Sequence, residues 1–303
     1  MSLYHLTYNI KTAICLSAVF AVLLLSNCTT ETERTDKTTT VKIIKPVIVR
    51  VKPATEISYH MEGGKKWCKQ HQADNLTQQI TRAINRADFK NLKNIDSILV
   101  VNDSTADISF FLPFPVNVPL INEVDKIIFF SYPTQSFAAY ENGELKYTGA
   151  TNMGRKKDQT PTGLFYTNWK AEKTTSTFND EWELEWNFNI ENKLGVGFHQ
   201  YALPGYPASH SCLRLQEADA KNLYQWADQW ILKKETVEVK GTPVIVFGSY
   251  EFGQPKPWLK LVQNPHALDI AVKDVEAVAA PHLAAILQEQ EKRKTKQNNL
   301  SEK

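Results

Sequence analysis

Three scarcities bound this 303-residue chain. Charge of one sign is not in excess: 35 basic against 33 acidic residues leave a formal net charge of +2, so the basic field that dominates nucleic-acid binding is excluded. Long apolar runs are missing. The longest, residues 12–25, is about fourteen residues, where about 20 are needed to cross a ~30 Å hydrocarbon core. Cysteine is sparse. Of four, Cys15 and Cys28 fall in the first thirty residues, which leaves Cys68 and Cys212 in the body and a single possible disulfide between them. What is present suffices for a packed core: 42% of residues are hydrophobic and 11% aromatic. Seven Trp and eleven Tyr favour an aromatic-rich β fold over a helical bundle. The length suits one substantial domain with smaller attachments, or two modest domains.

The first thirty residues read as a leader. Lys11 precedes the apolar stretch, which ends in Leu25-Ser26-Asn27-Cys28. A stretch too short to span a membrane and flanked in this way is a signal-peptide pattern. The Leu-x-x-Cys ending resembles the bacterial lipobox, although Asn27 departs from the small residue usual before the cysteine. Residues 1–27 are therefore expected to be a signal peptide and Cys28 the lipidated first residue of the mature chain, with a tether to residue 60. Cleavage elsewhere, or retention of the segment as an anchor, stays open; each exports the chain. The resemblance implies a protein on the periplasmic side of the bacterial cell envelope, lipid-anchored to a membrane. Residues 29–40 are Thr-rich, charged and almost without apolar side chains, as a solvated tether requires, and the prolines of residues 41–53 favour an extended continuation.

Residues 61–123 are expected to form a small α+β subdomain. Leu76, Ile80, Ala83, Ile84 and Ala87 share one face of a helix over 75–88, and residues 95–101 read as a strand. The run from Ile84 to Val101 resembles, over less than half of such a repeat, the second half of a lysin motif, a small peptidoglycan-binding module; the alternative is a packing subdomain. From Lys126 strands crowd together. A hairpin at 136–150 turns at Glu141-Asn142-Gly143-Glu144, where Asn-Gly supplies the positive φ that tight turns need. Strands are also expected at GLFYTNW, LGVGFH and PVIVF, with an amphipathic helix over 216–232 that turns Leu223, Trp226, Ala227 and Trp230 inward. The fold class is thus mainly β with a few helices. Residues 251–303 carry an Ala-rich helix pattern over 266–290 and a charged tail expected to fray.

Residues 195–215, GVGFHQYALPGYPASHSCLRL, hold most of the chemistry. A thiol attacks as thiolate, and a neighbouring imidazole can take its proton. His199 ends a strand, and Cys212 follows a Pro/Gly-bounded turn that lets both side chains reach one cleft. Free backbone N–H groups ahead of the helix at Gln216 are the raw material of an oxyanion hole. Arg214 is a permanent, bidentate partner for a carboxylate. Blander readings stay open: an inert buried thiol, a surface arginine, or zinc bound by two His and a Cys, with Cys68 and His71 as distant further ligands.

The segment resembles the L,D-transpeptidase catalytic signature, a strand ending in His, a short loop, then Ser/Thr-His-Gly-Cys, a hydrophobic residue and Arg or Asn. Here nine residues separate His199 from Ser209-His210-Ser211-Cys212-Leu213-Arg214. TPTGLF at 160–165, the hairpin at 136–150, the LQEADAKNLYQW helix and GTPVIVF extend the resemblance, in order, over residues 124–250. It implies a β-sandwich-like catalytic domain in which Cys212 is nucleophile and His199 general base. His210 would orient or polarise the site, the Ser211 backbone N–H would hold an oxyanion, and Arg214 and Ser209 would meet substrate. Peptidoglycan stem peptides are the implied donors, the acceptor being an amine or, in an L,D-carboxypeptidase, water. No metal and no other cofactor is implied, no nucleic acid, and a monomer is expected. Two other classes remain, a non-catalytic peptidoglycan-binding lipoprotein and a zinc-dependent envelope peptidase. Ser211 stands where the family most often has Gly. If the position needs positive φ, Ser costs about 1 kcal/mol or more.

Overall fold

The computed structural model describes residues 50–176 and 183–301; the leader, Cys28 and the tether up to residue 49 lie outside the described residues.

The α+β subdomain runs β1 (Tyr59–Glu62), α1 (Gly64–Gln70), α2 (Leu76–Asn85), α3 (Phe89–Leu92) and β2 (Ile98–Val101). β1 and β2 pair antiparallel, Tyr59 opposite Val101. The Asn75 side chain caps α2 by accepting the Gln78 N–H at 3.1 Å. Ile80, Ala83 and Ile84 are buried as the spacing predicts, whereas Leu76 is 38% exposed. The strand expected from Ile95 begins at Ile98, because Ile95 is still engaged in the turn that follows α3, its N–H bonded to Leu92 O at 3.1 Å.

The chain continues through β3 (Ile127–Ser131), β4 (Ser136–Glu141), β5 (Glu144–Asn152), β6 (Gly163–Tyr166), β7 (Lys170–Thr175), β8 (Glu183–Glu191), β9 (Val196–Gln200) and β10 (Leu213–Leu215). Then come α4 (Glu217–Trp226), the small pair β11 (Ile231–Lys233) and β12 (Thr236–Val239), and β13 (Pro243–Phe247). Among the described residues one nine-stranded sheet forms, in the order β6-β13-β3-β4-β5-β10-β9-β8-β7. The expected hairpin is β4–β5, with φ +51° at Asn142 and +78° at Gly143.

Alternation along β3 divides the core. Ile128 and Phe130 enter one cluster with Phe137, Phe188, Phe198, Leu213 and Leu223. Ile127 and Phe129 face the opposite cluster, completed by Val275, Ala279 and Ile286 of the carboxy-terminal helices. Phe130 on β3 lies 6.1 Å from Phe198 on β9, although three strands separate them in the sheet. The sheet is therefore curled over on itself, the mainly β, sandwich-like fold expected.

The polar stretch before Asn192 contributes strands β7 and β8. Three expectations are corrected. The helix expected over 216–232 ends at Trp226, because the following chain is drawn into sheet-like contacts: Asp228 N–H bonds Thr242 Oγ1 at 2.9 Å and Trp230 N–H bonds Asn168 O at 3.1 Å. Trp230 is consequently outside the helix. The pattern over 266–290 resolves into α5 (Val272–Ala279), a 3-10 turn at Ala280–His282 that accommodates Pro281, and α6 (Leu283–Ser301). α6 runs through the tail expected to fray, because its charges find partners. Lys294 is 3.6 Å from Asp125 and Lys296 2.5 Å from Glu238, while Arg293 donates to the carbonyls of Gln229 and Lys240.

Candidate active site

β9 and β10 run parallel and adjacent, with His199 level with Arg214 and Phe198 level with Leu213. That register brings residues at the start of β10 beside the carboxy-terminal end of β9. His199, Tyr201, Ser209, His210, Cys212 and Arg214 consequently line one pocket. Cys68 and Cys212 are both free thiols, so the disulfide left open by the sequence is not formed.

His199 is almost fully buried, and its Nδ1 lies 2.8 Å from Gln200 O. A carbonyl accepts only, so Nδ1 carries the proton and Nε2 is left as the basic nitrogen. Burial pushes the imidazole down to about 4, the Gln200 carbonyl opposing and the Arg214 charge assisting. Half-buried Cys212 donates its S–H to Gly195 O at 3.7 Å. Burial raises the thiol above its ordinary value, while the Gly197 N–H and Arg214 pull the other way. The resting pair is thus a neutral thiol and a neutral imidazole.

Two hydrogen bonds fix the peptide planes around Cys212. Thr160 Oγ1 donates to Ser211 O at 2.8 Å, and Ser209 Oγ donates to Cys212 O at 2.6 Å. No hydrogen bond within the described residues ends on the N–H of Ser211 or Cys212. These donors remain available to an oxyanion. The Ser209 hydroxyl, assigned to substrate by the sequence reading, is instead occupied with the Cys212 carbonyl. Ser211 has φ +84°, so its conformation is one that favours glycine.

His210 is held from the β5–β6 loop. Arg155 Nη2 donates to His210 Nε2, Arg155 Nε lies 2.5 Å from Asp158 Oδ2, and that oxygen is 3.9 Å from His210 Nε2. His210 sits below its ordinary value through burial and then Arg155, with Asp158 opposing. Arg214 lies 4.5 Å over the Tyr201 ring and has no carboxylate partner among the described residues. Sequence reasoning missed Arg155, Asp158 and the role of Thr160. Their signal is the run GRKKDQTPTG at 154–163, in which Gly154 is required because a Cβ there would stand 2.2 Å from Asp158 O. Among the described residues no cluster of three or more His, Cys, Asp or Glu is placed to hold a metal ion.

Residues 125–246 match the family model of YkuD, the L,D-transpeptidase catalytic domain. This segment is a YkuD-family domain. Solved structures similar to the chain include the L,D-transpeptidase of Stackebrandtia nassauensis, 23% identical with a TM-score of 0.34, the match covering 42% of this chain and 57% of that one. An L,D-transpeptidase from Mycobacterium smegmatis is 19% identical with a TM-score of 0.33, over 41% and 59% of the two chains. A mutant of the Enterococcus faecium L,D-transpeptidase is 24% identical with a TM-score of 0.32, over 41% and 50%. The chain thus spans less than two thirds of the length of these relatives. No curated protein matches it. Within the YkuD domain lie all the pocket residues named above, whereas the α+β subdomain lies before it.

Proposed function

We propose that the YkuD domain of this chain is a peptidoglycan L,D-transpeptidase that acts through a Cys212 thioester. The observation that carries the reading is the parallel register of β9 and β10, by which Cys212, His199 and Arg214 share one pocket. Cys212 Sγ attacks the carbonyl of the third stem residue while its proton passes to His199 Nε2, and the oxyanion meets the N–H groups of Ser211 and Cys212. Collapse breaks the amide bond, and the departing amine of the terminal D-alanine takes the proton from His199. An acceptor amine then attacks the thioester, His199 accepts its proton, and the thiol leaves reprotonated. Because both groups are neutral at rest, proton transfer accompanies attack rather than preceding it. Arg214 is placed to meet a donor carboxylate, and His210, fixed by Arg155 and Asp158, orients the loop. Lipidation of Cys28 and a periplasmic, membrane-anchored location complete the proposal, with the tether giving the domain reach.

Incubation with a carbapenem followed by intact-mass measurement tests it. The wild-type chain is expected to gain one covalent adduct, and Cys212→Ala none; an unmodified wild type would overturn the reading. Digestion of labelled muropeptides then separates transfer to an amine from transfer to water. One observation favours a second, non-catalytic peptidoglycan-binding reading: the strained φ of Ser211 in the loop that carries the nucleophile.

A further inference from the structure

The loop between His199 and Cys212 is not held by the YkuD domain alone. Its inner side is tied to β5, where Asn152 Nδ2 donates to Tyr206 O and Asn152 Oδ1 accepts the Ala208 N–H at 3.2 Å. Its outer side is tied to residues 86–88, which precede the family-matched segment. Asp88 N–H bonds Leu203 O at 2.9 Å, and Leu203 N–H returns to Asp88 Oδ2 at 2.9 Å. Gly205 N–H bonds Arg86 O at 3.0 Å, and Ala87 forms an antiparallel bridge with Pro204. Ala87 and Leu203 are fully buried at this contact.

Residues 86–88 are themselves immobilised. Arg86 ends α2 at φ +54°, and its buried guanidinium donates to Ala83 O and Ile84 O of that helix and to Thr134 O of the β3–β4 turn, 5.3 Å over Trp258. Asp88 caps α3 through Oδ1, which accepts the Asn91 N–H at 2.9 Å, while Oδ2 accepts from Asn91 Nδ2 at 2.8 Å as well as from the Leu203 N–H, so α3 holds the carboxylate that clamps the loop. From Leu203 the chain has only nine residues to reach Cys212.

We propose that Asp88 is a positioning residue for the cysteine chemistry of the YkuD domain: by clamping Leu203 it sets where Cys212 sits relative to His199. The inference rests on the transpeptidase reading for its rate measurement but not for its second readout. The full chain is compared with Asp88→Asn, which keeps a capping oxygen and turns an N–H2 toward the Leu203 N–H, and with Asp88→Ser, which can cap α3 but is too short to reach Leu203. Asp74→Asn serves as the control; it removes only a surface pair with Arg82 in the same subdomain. The rate of carbapenem acylation at saturation is expected to fall by about tenfold in both Asp88 variants, a misplacement near 1 Å being enough for losses of up to about 100-fold. The half-saturating concentration is expected to stay within about threefold, and Asp74→Asn to match the wild type.

The second readout is the pH profile of Cys212 alkylation by iodoacetamide. Burial is the main cause of the raised thiol value, so a loosened loop is expected to shift the profile to lower pH. A merely structural residue would lower the melting temperature and leave that profile in place. Acylation and alkylation unchanged in a folded Asp88 variant overturn the proposal, as does a rate loss that disappears once the folded fraction is accounted for. If the wild-type chain forms no carbapenem adduct, the transpeptidase reading fails, and the alkylation profile alone decides the role of Asp88.

Discussion

The two cysteines of the described body occupy opposite kinds of surroundings. Cys68, on α1, is 3% exposed and packed among Trp67, Ala87, Leu92, Ile98 and Val100. His71, three residues on, stacks on Trp67 at 4.2 Å, and its Nδ1 lies 2.9 Å from Trp67 O. Cys212 opens on a pocket with a buried imidazole and an arginine free of carboxylates. Yet burial raises both thiols above the ordinary value. A depressed thiol pKa therefore does not distinguish the proposed nucleophile from the other cysteine. What separates them is access: Cys212 lines a pocket together with His199 and Arg214, whereas Cys68 is sealed in an apolar cluster.

The sharpest way to break that contrast is to remove the base. His199→Gln leaves Cys212 accessible but without an acceptor for its proton, and carbapenem acylation is expected to fall by about 100-fold or more. Cys68 should remain unmodified in both proteins. Peptide mapping after timed incubation reads both thiols in one sample. Acylation of His199→Gln at the wild-type rate would show that the pocket alone activates the sulfur.

The same burial that strips His199 of its proton makes the fold acid-sensitive. In the unfolded chain the imidazole binds a proton near its ordinary 6.5, whereas in the folded protein it does so only near 4. Acid therefore favours the unfolded state: the contribution is fully present above pH 6.5 and is lost as pH falls toward 4, on the order of 3 kcal/mol in total. Denaturant unfolding of the wild type and His199→Gln at pH 7 and pH 4 checks this. The variant should lose less stability on acidification; equal losses would place the acid sensitivity elsewhere.

Legibility followed locality. The candidate site was readable because Cys212, His199 and Arg214 lie within sixteen residues around a proline-bounded turn. The β4–β5 hairpin was readable from Asn142-Gly143. β8 was not, because a bulge with Trp186 at φ +53° breaks its alternation between Glu185 and Phe188. β7 is an edge strand whose side chains are half-exposed or exposed, with no apolar face to betray it. Arg155 and Asp158 meet His210 only because the β5–β6 loop carries them there. The Asp88–Leu203 clamp joins residues 115 apart in sequence, and nothing local to either announces it. α6 holds its charged end through Asp125 and Glu238, partners that only the fold supplies.

The smallest expected effect concerns the residue beside Cys212. Ser211 at φ +84° bears the Cβ crowding that glycine escapes, a cost of roughly 1–2 kcal/mol for a left-handed residue. Glycine in turn loses about 0.4–1 kcal/mol through the greater freedom of its unfolded chain. The balance leaves Ser211→Gly more stable by about 0.5 kcal/mol, a shift of a degree or two in melting temperature for a domain of this size. The Thr160 hydrogen bond to the residue-211 carbonyl uses backbone only, so the peptide plane that presents the Cys212 N–H persists in the variant. Acylation is therefore expected to change by no more than about threefold, if the serine at 211 costs stability rather than alignment. A large gain on Ser211→Gly, with stability unchanged, would mean that the serine side chain holds the loop away from its productive position. It would also move the difference between the two cysteines from the presence of a base to the shape of the turn that offers Cys212 to it.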